Sequence, residues 1–414
     1  MKVFLVGGAV RDRLLGMPVT DRDWVVVGAS PRQMQAAGYR SVGKDFPVFL
    51  HPETHEEYAL ARTERKTKAG YHGFEFDTAA DVTLEQDLAR RDLTINAIAE
   101  DADGNVLDPY HGQQDLQARI LRHVSPAFAE DPVRILRISR FLARFHRLGF
   151  RIANDTMRLM KAMVGDGEVD ALVAERVWQE MAKALQEPNP EQFFLALREC
   201  GALQVLFPEI DRLFGVPQVK VYHPEVDTGI HAMMVLQQCC LLTDDPMTRF
   251  AALTHDLGKG VTRADILPHH YGHEAAGVPL VKALCTRLKV PNAYRQLAEL
   301  CCEYHTHIHR AFELKPKTLL KVLTVTDAYR KPERFKQLLL VSKADSRGRP
   351  GFEDREYLQG SFYETLFEAT KAIPVKPIID KGFKGEAVKA ALQRERLKVI
   401  TDLRRGAKGP EGIY

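Results

Sequence analysis

Apolar positions come in short bursts over the first hundred residues and recur at three- and four-residue steps after that. The bursts predict buried strands at 3–6 and 23–27, with a short helix over 9–15 stopped by Gly16 and Pro18. Further strands are expected at 46–50 (FPVFL) and 56–61 (EEYALA), followed by a polar, Lys/Arg-rich, mobile loop at 62–73. From about residue 84 the pattern is helical, apart from a hairpin expected at 97–109 around Asp103-Gly104. Clear helical stretches are 133–145, 171–185, 192–206 and 230–242, with breaks at 186–190, 215–224, 346–352 and 374–377. Strands first and helices afterwards imply an α+β protein: an N-terminal sheet domain followed by all-α domains.

Length supports this division, because 414 residues exceed what one core holds and suggest two to four domains. Charge changes little. With 58 basic and 55 acidic residues the net is +3, so a nucleic-acid partner must be read from local basic stripes. No run approaches eighteen apolar residues and the first residues lack a signal-peptide pattern, which excludes a membrane span. The six cysteines form no C-x-x-C pair and include two adjacent couples, suiting neither a zinc ribbon nor a disulfide framework. A reduced, cytoplasmic protein is expected.

Candidate chemistry begins in LVGGAVRD and TDRDW. Asp21 and Asp23, two apart at a strand start, would point to one face with Cα atoms about 7 Å apart. Two such carboxylates suit a hard cation such as Mg²⁺ that also takes water and phosphate oxygens. The bland reading, a solvated strand start, is weakened by the apolar WVVV run and the preceding Gly-Gly turn. Gly7 and Gly8 let backbone N–H groups approach a phosphate, and Arg11, one turn on, reaches the same place. The G-x-G-x-x-G spacing of a dinucleotide site is absent, so a triphosphate with its metals is the better fit.

Two downstream segments extend this site. RRDLTINAI is read as a helix start, with Asn96 on the face of Asp92, and Arg90 and Arg91 able to clamp phosphate. The alternative is a capped helix with Leu93 and Ile98 in the core. EDPVRILRISRFLARF places Asp131 before Pro132, the arrangement of an N-cap and a first-turn proline. Arg134, Arg137, Arg140 and Arg144 then form a basic stripe, a solvated face for Arg144 at least. A carboxylate accepts hydrogen bonds and a guanidinium donates them. Asp131 with Arg134 therefore complements an amino group beside a bare ring nitrogen, which cytosine and adenine present and guanine and uracil do not.

In the helical half, His255 and Asp256 stand side by side on an apolar helix ending at Gly258, with His231 before them and Asp345 after. A lone buried histidine is more often structural than a ligand, but the order His, His-Asp, Asp is harder to assign to chance. Mixed His/Asp ligation favours a transition ion such as Ni²⁺, Mn²⁺ or Co²⁺. His273, His305 and His307 are taken as exposed or structural.

LVGGAVRD, TDRDW, RRDLTINAI and EDPVRILR, in this order and spacing, resemble the tRNA nucleotidyltransferases, the CCA-adding enzymes of the bacterial and eukaryotic class within the polymerase β-type superfamily. The resemblance is dense over residues 1–145. It implies that Asp21 and Asp23 carry Mg²⁺, that Gly8 and Arg11 hold the incoming ATP or CTP, and that Arg91 with Asp92 contacts phosphate and sugar. It further implies that Asp131 and Arg134 read the base, with Arg137 and Arg140 at the triphosphate. A third acidic residue is expected at Glu56 or Glu57. The second half resembles the HD phosphohydrolases, which implies metal-dependent phosphoester hydrolysis with His231, His255, Asp256 and Asp345 as tentative ligands and His255 and Asp256 catalytic.

The implied domains are 1–140, a nucleotidyltransferase head; 141–215, a helical neck; 216–346, the HD domain; and 347–414, a helical tail contacting tRNA. The implied activity is CCA addition to tRNA without a template, joined by phosphatase, 2'-nucleotidase and 2',3'-cyclic phosphodiesterase activity, in a monomer or homodimer. The rivals are a poly(A) polymerase, and an HD phosphohydrolase whose N-terminal domain merely binds nucleotide.

Overall fold

The computed structural model describes residues 1–42, 48–66, 74–77 and 81–407. Two compact units emerge, Met1–Leu206 and Phe207–Tyr414.

The first unit is built on a mixed seven-stranded sheet. Its strands are β1 (Lys2–Val6), β2 (Asp23–Val27), β3 (Arg40–Val42), β4 (Val48–Leu50), β5 (Glu57–Leu60), and the short β8 (Ala99–Glu100) and β9 (Val106–Leu107), with β6 (Thr63–Lys66) and β7 (Phe74–Asp77) lying outside the sheet. The spatial order is β3-β4-β5-β2-β1-β8-β9, and only β2 and β5 pair in parallel. The continuous apolar run of β2 follows from burial on both faces. Val25 packs with Phe4, Val6, Leu88 and Ala97, and Val26 packs with Met34, Phe49, Tyr58 and Leu60. The 97–109 hairpin forms as expected, with Gly104 at φ +82° and the Asp101 carboxylate accepting from the Asp103 and Asn105 backbone N–H groups.

The loop expected over 62–73 is corrected in part. Thr63–Lys66 is a strand, β6, paired antiparallel with β7 (Phe74–Asp77) in a separate two-stranded ribbon. A charged segment can be a strand when its backbone partner comes from elsewhere in the chain, which the local polarity of TERK does not reveal. Residues 67–73 lie outside the described residues, as do 46 and 47 of the strand expected over 46–50. Val133–Phe145 is helical over the expected span. The expected 192–206 helix is instead two, Glu191–Cys200 and Ala202–Leu206, broken at Gly201 with φ +87°. The expected 171–185 helix begins only at Ala174.

The second unit is helical. Thr228–Leu242 starts at Asp227, whose carboxylate accepts from the Gly229 and Ile230 N–H groups. Pro246–Thr254 starts with an N1 proline behind Asp245, which accepts from Met247 and Thr248. His273–Arg287, Asn292–His309 and Pro332–Arg347 complete the group that surrounds the histidine cluster. Among the described residues, no helix is long and apolar enough to cross a membrane.

Candidate active sites

The antiparallel register sets Val6 opposite Asp23, so the Gly7-Gly8 turn that follows β1 lies beside the start of β2. Gly7 has φ +70°, and a Cβ there would stand 2.9 Å from Arg91 Nη1; glycine is required on both counts. The turn opens the helix Gly8–Leu14. Asp21 and Asp23, both exposed, line a 790 Å³ cleft together with Gly7, Gly8, Arg11, Arg91, Asp92, Asp131, Arg134, Arg137 and Arg140. Apart from the third acidic residue expected at Glu56 or Glu57, the residues expected at the transferase site are thus in one concavity, although more than a hundred residues of chain separate the aspartates from Asp131.

The parallel pairing of β2 with β5 distinguishes the two candidate glutamates. Glu57 is in register with Asp23, on the face shared by Val25 and Ala59. Glu56 belongs to the other face, where it accepts from Trp24 Nε1 at 3.0 Å and lies 3.7 Å from Arg22.

The arginines are held by carboxylates and carbonyls, not solvated. Arg11 is buried against Phe141 and Phe145 and donates to Asp12 at 2.8 Å and to Asn96 Oδ1 at 2.6 Å. Arg137 donates to Asp92 at 2.7 Å, Arg140 to Glu180 at 2.7 Å, and Arg144 to Asp12 at 3.0 Å. The solvated face expected for Arg144 is therefore corrected: Asp12 on the first helix meets it. Burial pushes the Asp92 carboxyl up, but the Arg137 charge and hydrogen bonds from Asn96 and Arg137 outweigh it and hold Asp92 well below the usual carboxylate range. Arg90 and Arg91 follow the helix Leu84–Ala89 instead of starting one, and both pair with Asp87 at its core-facing side, at 2.7 and 3.3 Å. The polar run RRD closes that helix and only a 3₁₀ turn, Thr94–Asn96, follows, a pattern that locally resembles a helix start.

Asp131 and Arg134 meet through the backbone, the Arg134 N–H donating to the Asp131 carbonyl at 3.0 Å. Asp131 Oδ1 accepts from the Val133 N–H at 3.1 Å, as an N-cap should. Its two oxygens also take Arg176 Nη1 and Nη2 at 3.1 and 2.7 Å. Arg134 donates to the carbonyls of Ala127 and Arg90 at 2.8 and 2.7 Å. Both groups are fixed before any ligand arrives. Arg176, Glu180 and Lys183 in the cleft wall were missed in the sequence. Their i, i+4, i+7 spacing on the helix Ala174–Ala184 was the available signal.

In the second unit, His255 and Asp256 sit just past the end of Pro246–Thr254, not within it. Gly258 permits this: a Cβ there would lie 1.9 Å from the His273 carbonyl oxygen. His231 Nε2 stands 3.0 Å from Asp345 Oδ1, and His255 Nε2 is 3.3 Å from Asp256 Oδ2 and 3.6 Å from Asp345 Oδ2. Nδ1 of His255 donates to the Ala252 carbonyl at 2.7 Å, leaving its Nε2 bare, whereas His231 is bonded at both ring nitrogens, Nδ1 to the Gly348 carbonyl and Nε2 to Asp345 Oδ1, each at 3.0 Å.

His273 and His305, taken as structural from sequence, belong to this cluster. Their Nδ1 atoms donate to the carbonyls of His270 and Cys301 at 2.8 and 3.0 Å, so their Nε2 lone pairs face each other at 3.3 Å. Asp256 Oδ1 completes the triangle at 3.2 and 3.4 Å. His309, also missed, meets Asp345 Oδ2 at 2.7 Å. His307 lies against Tyr304, outside the cluster.

His255 Nε2 and both Asp256 oxygens are buried and make no well-angled hydrogen bond. Burial pushes the Asp256 and Asp345 carboxyls up. Lys259 and His255 outweigh it for Asp256, His309 and His255 for Asp345, and both are held well below the usual range. Ionised carboxylates and bare imidazole nitrogens converging in a dry site fit a divalent metal.

A nucleotide-sized cleft at a polymerase-type sheet and a buried His/Asp cluster in a helical unit define a two-site phosphoryl-transfer protein. Residues 3–122 match the Poly A polymerase head domain, 149–214 the probable RNA- and SrmB-binding site of polymerase A, and 228–346 the HD domain. The chain belongs to the family of multifunctional CCA proteins. The multifunctional CCA protein of Thioalkalivibrio sulfidiphilus is 60% identical over 98% of this chain and 99% of its own. That of Nitrosococcus oceani is 60% identical over 97% and 98%.

Solved structures share the fold. The Bacillus stearothermophilus CCA-adding enzyme in complex with CTP has a TM-score of 0.64 at 24% identity, covering 97% of this chain and 89% of that one. The Thermotoga maritima CCA-adding enzyme complexed with tRNA has a TM-score of 0.63 at 21% identity, covering 99% and 89%.

Proposed function

We propose that this chain adds CMP, CMP and AMP to the 3' end of tRNA from CTP and ATP without a nucleic-acid template, and hydrolyses phosphoesters at a second centre. The observation that carries the first activity is the meeting of Asp21, Asp23 and the Asp131/Arg134 pair in one cleft. Asp21 and Asp23 hold Mg²⁺, with Glu57 as the third carboxylate. The ions, when bound, neutralise phosphate charge and favour ionisation of the tRNA 3'-hydroxyl.

The protein's own groups do the rest. Gly8 and Arg11 position the triphosphate, Arg137 and Arg140 balance its charge, and Arg91 with Asp92 sets the sugar. Asp131 accepts from the exocyclic amino group of cytosine or adenine while Arg134 donates to the neighbouring ring nitrogen. Guanine and uracil present a carbonyl and an N–H there, and each unpaired buried group costs about 1–3 kcal/mol. The helical segments after the head hold tRNA by shape and phosphates.

The HD cluster holds a transition ion such as Ni²⁺ on His231, His255, Asp256 and Asp345, with His273 and His305 as further donors. That ion, when bound, supplies Lewis acidity to a phosphoester. The activities read for it are phosphatase, 2'-nucleotidase and 2',3'-cyclic phosphodiesterase, in a cytoplasmic protein. The test is incubation with tRNA lacking its last three residues: CTP-dependent growth by three nucleotides supports the reading, and a long A tract from ATP alone replaces it with poly(A) polymerase.

A further inference from the structure

We propose that the loop after residue 267 carries a base-stacking platform, made by Tyr271 and His269, which gives the hydrolytic centre its preference for nucleoside phosphomonoesters. The proposal rests on the reading of that centre as a phosphohydrolase.

The histidine cluster opens into a 450 Å³ pocket, within the size range of small-ligand sites. Its lining combines buried His305 and Asp345 with two exposed tyrosines, Tyr222 and Tyr271. Tyr271 is 78% exposed, the most exposed large apolar residue among those described, and Tyr222 across the mouth is 46% exposed. Two exposed tyrosine rings lining one charged pocket offer flat, amphipathic surface to a ligand that enters it.

The ring is also preorganised. Tyr271 stacks on His269 with centroids 5.5 Å apart and planes 10° from parallel. Between them, His270 is pinned at both ring nitrogens: Nε2 donates to the Pro217 carbonyl at 3.0 Å, and Nδ1 accepts from the Thr262 hydroxyl at 2.7 Å. The His270 carbonyl in turn accepts from His273 Nδ1 at 2.8 Å, tying the platform to a member of the cluster itself. A flat ring held parallel to its neighbour, at a set distance from the phosphate-handling centre, suits a flat aromatic ligand.

The ligand's other half is indicated by charge. Lys259, Arg310 and Arg349 line the same pocket, and Lys259 Nζ lies 2.6 Å from Asp256. Buried Lys259 and Arg349 beside the cluster and a stacked ring in the same lining match one molecule with a phosphate at one end and a base at the other. A phosphate ester without a base engages only the inner half.

The experiment compares hydrolysis of adenosine 2'-monophosphate with glycerol 2-phosphate, a secondary phosphomonoester that has no base. Stacking a base on one ring is worth on the order of tenfold in affinity. Tyr271→Ala should lower the preference for the nucleotide about tenfold, through KM and not kcat, and Tyr271→Phe should restore it. Equal losses on both esters, or unchanged preference, overturn the platform. If the unaltered protein cleaves neither ester, the hydrolase reading itself has failed, which is a different result.

Discussion

Arg176 donates from Nη1 and Nη2 to the two carboxylate oxygens of Asp131, at 3.1 and 2.7 Å. The carboxylate read as accepting the base's amino group is therefore aimed by an arginine from another helix, 45 residues away. Arg176→Ala should leave the Asp131 carboxylate held only by the Val133 N–H and raise KM for both CTP and ATP by roughly tenfold to a hundredfold, the usual effect of a misplaced positioning group. UTP and GTP should be misincorporated more often, and Arg176→Lys should rescue only in part because it offers no fork. Steady-state incorporation with each of the four nucleotides checks this.

Glu57 and Glu56 should separate cleanly. Glu57, in register with Asp23, is expected to act with the metal carboxylates, so Glu57→Gln should cut nucleotide incorporation on the order of a hundredfold. Glu56→Gln replaces a side chain bonded to Trp24 on the opposite face and should change incorporation less than twofold, on the order of a single weakened hydrogen bond. Similar losses in both variants would remove Glu57 from the site.

Acid should weaken the first unit through Asp92. Its folded carboxyl lies below its unfolded value, so the stability it contributes is fully present above about pH 4 and is lost as pH falls through the folded value. Asp92→Asn should cost on the order of 3 kcal/mol at neutral pH, by stranding Arg137, and the difference from the unaltered protein should shrink below about pH 4. Thermal melting across pH measures it. A gap that stays constant would mean Asp92 acts by shape alone.

Gly258→Ala places a methyl group against the His273 carbonyl, 1.9 Å from its oxygen, and the backbone must move. The variant should lose more than about 2 kcal/mol of stability in the second unit. Metal affinity should fall with it, because the same contact sets His273 beside Asp256.

The strand-then-helix layout, and the segments that the fold gathers into one cleft, were legible because they rest on local signals. WVVV required a strand buried on both sides, Asp131-Pro132 required a helix start, and each proved so in place. What escaped was pairing at a distance. The choice between Glu56 and Glu57 depends on the register of β5 against β2, which no local pattern encodes. His273, His305 and His309 look like scattered histidines in sequence because they come from two helices that meet only on folding. The ion-pairing of Arg144 with Asp12, 132 residues earlier, is the same kind of fact.

The central claim is that one chain carries two chemically separate active sites, and paired variants test it most directly. Asp21→Ala and His255→Ala should each be assayed for CTP and ATP incorporation into tRNA lacking its end, and for phosphate release from a nucleoside 2'-phosphate. The account predicts that Asp21→Ala abolishes incorporation and keeps hydrolysis, while His255→Ala does the reverse. Loss of both activities in His255→Ala, or full incorporation by Asp21→Ala, would contradict it.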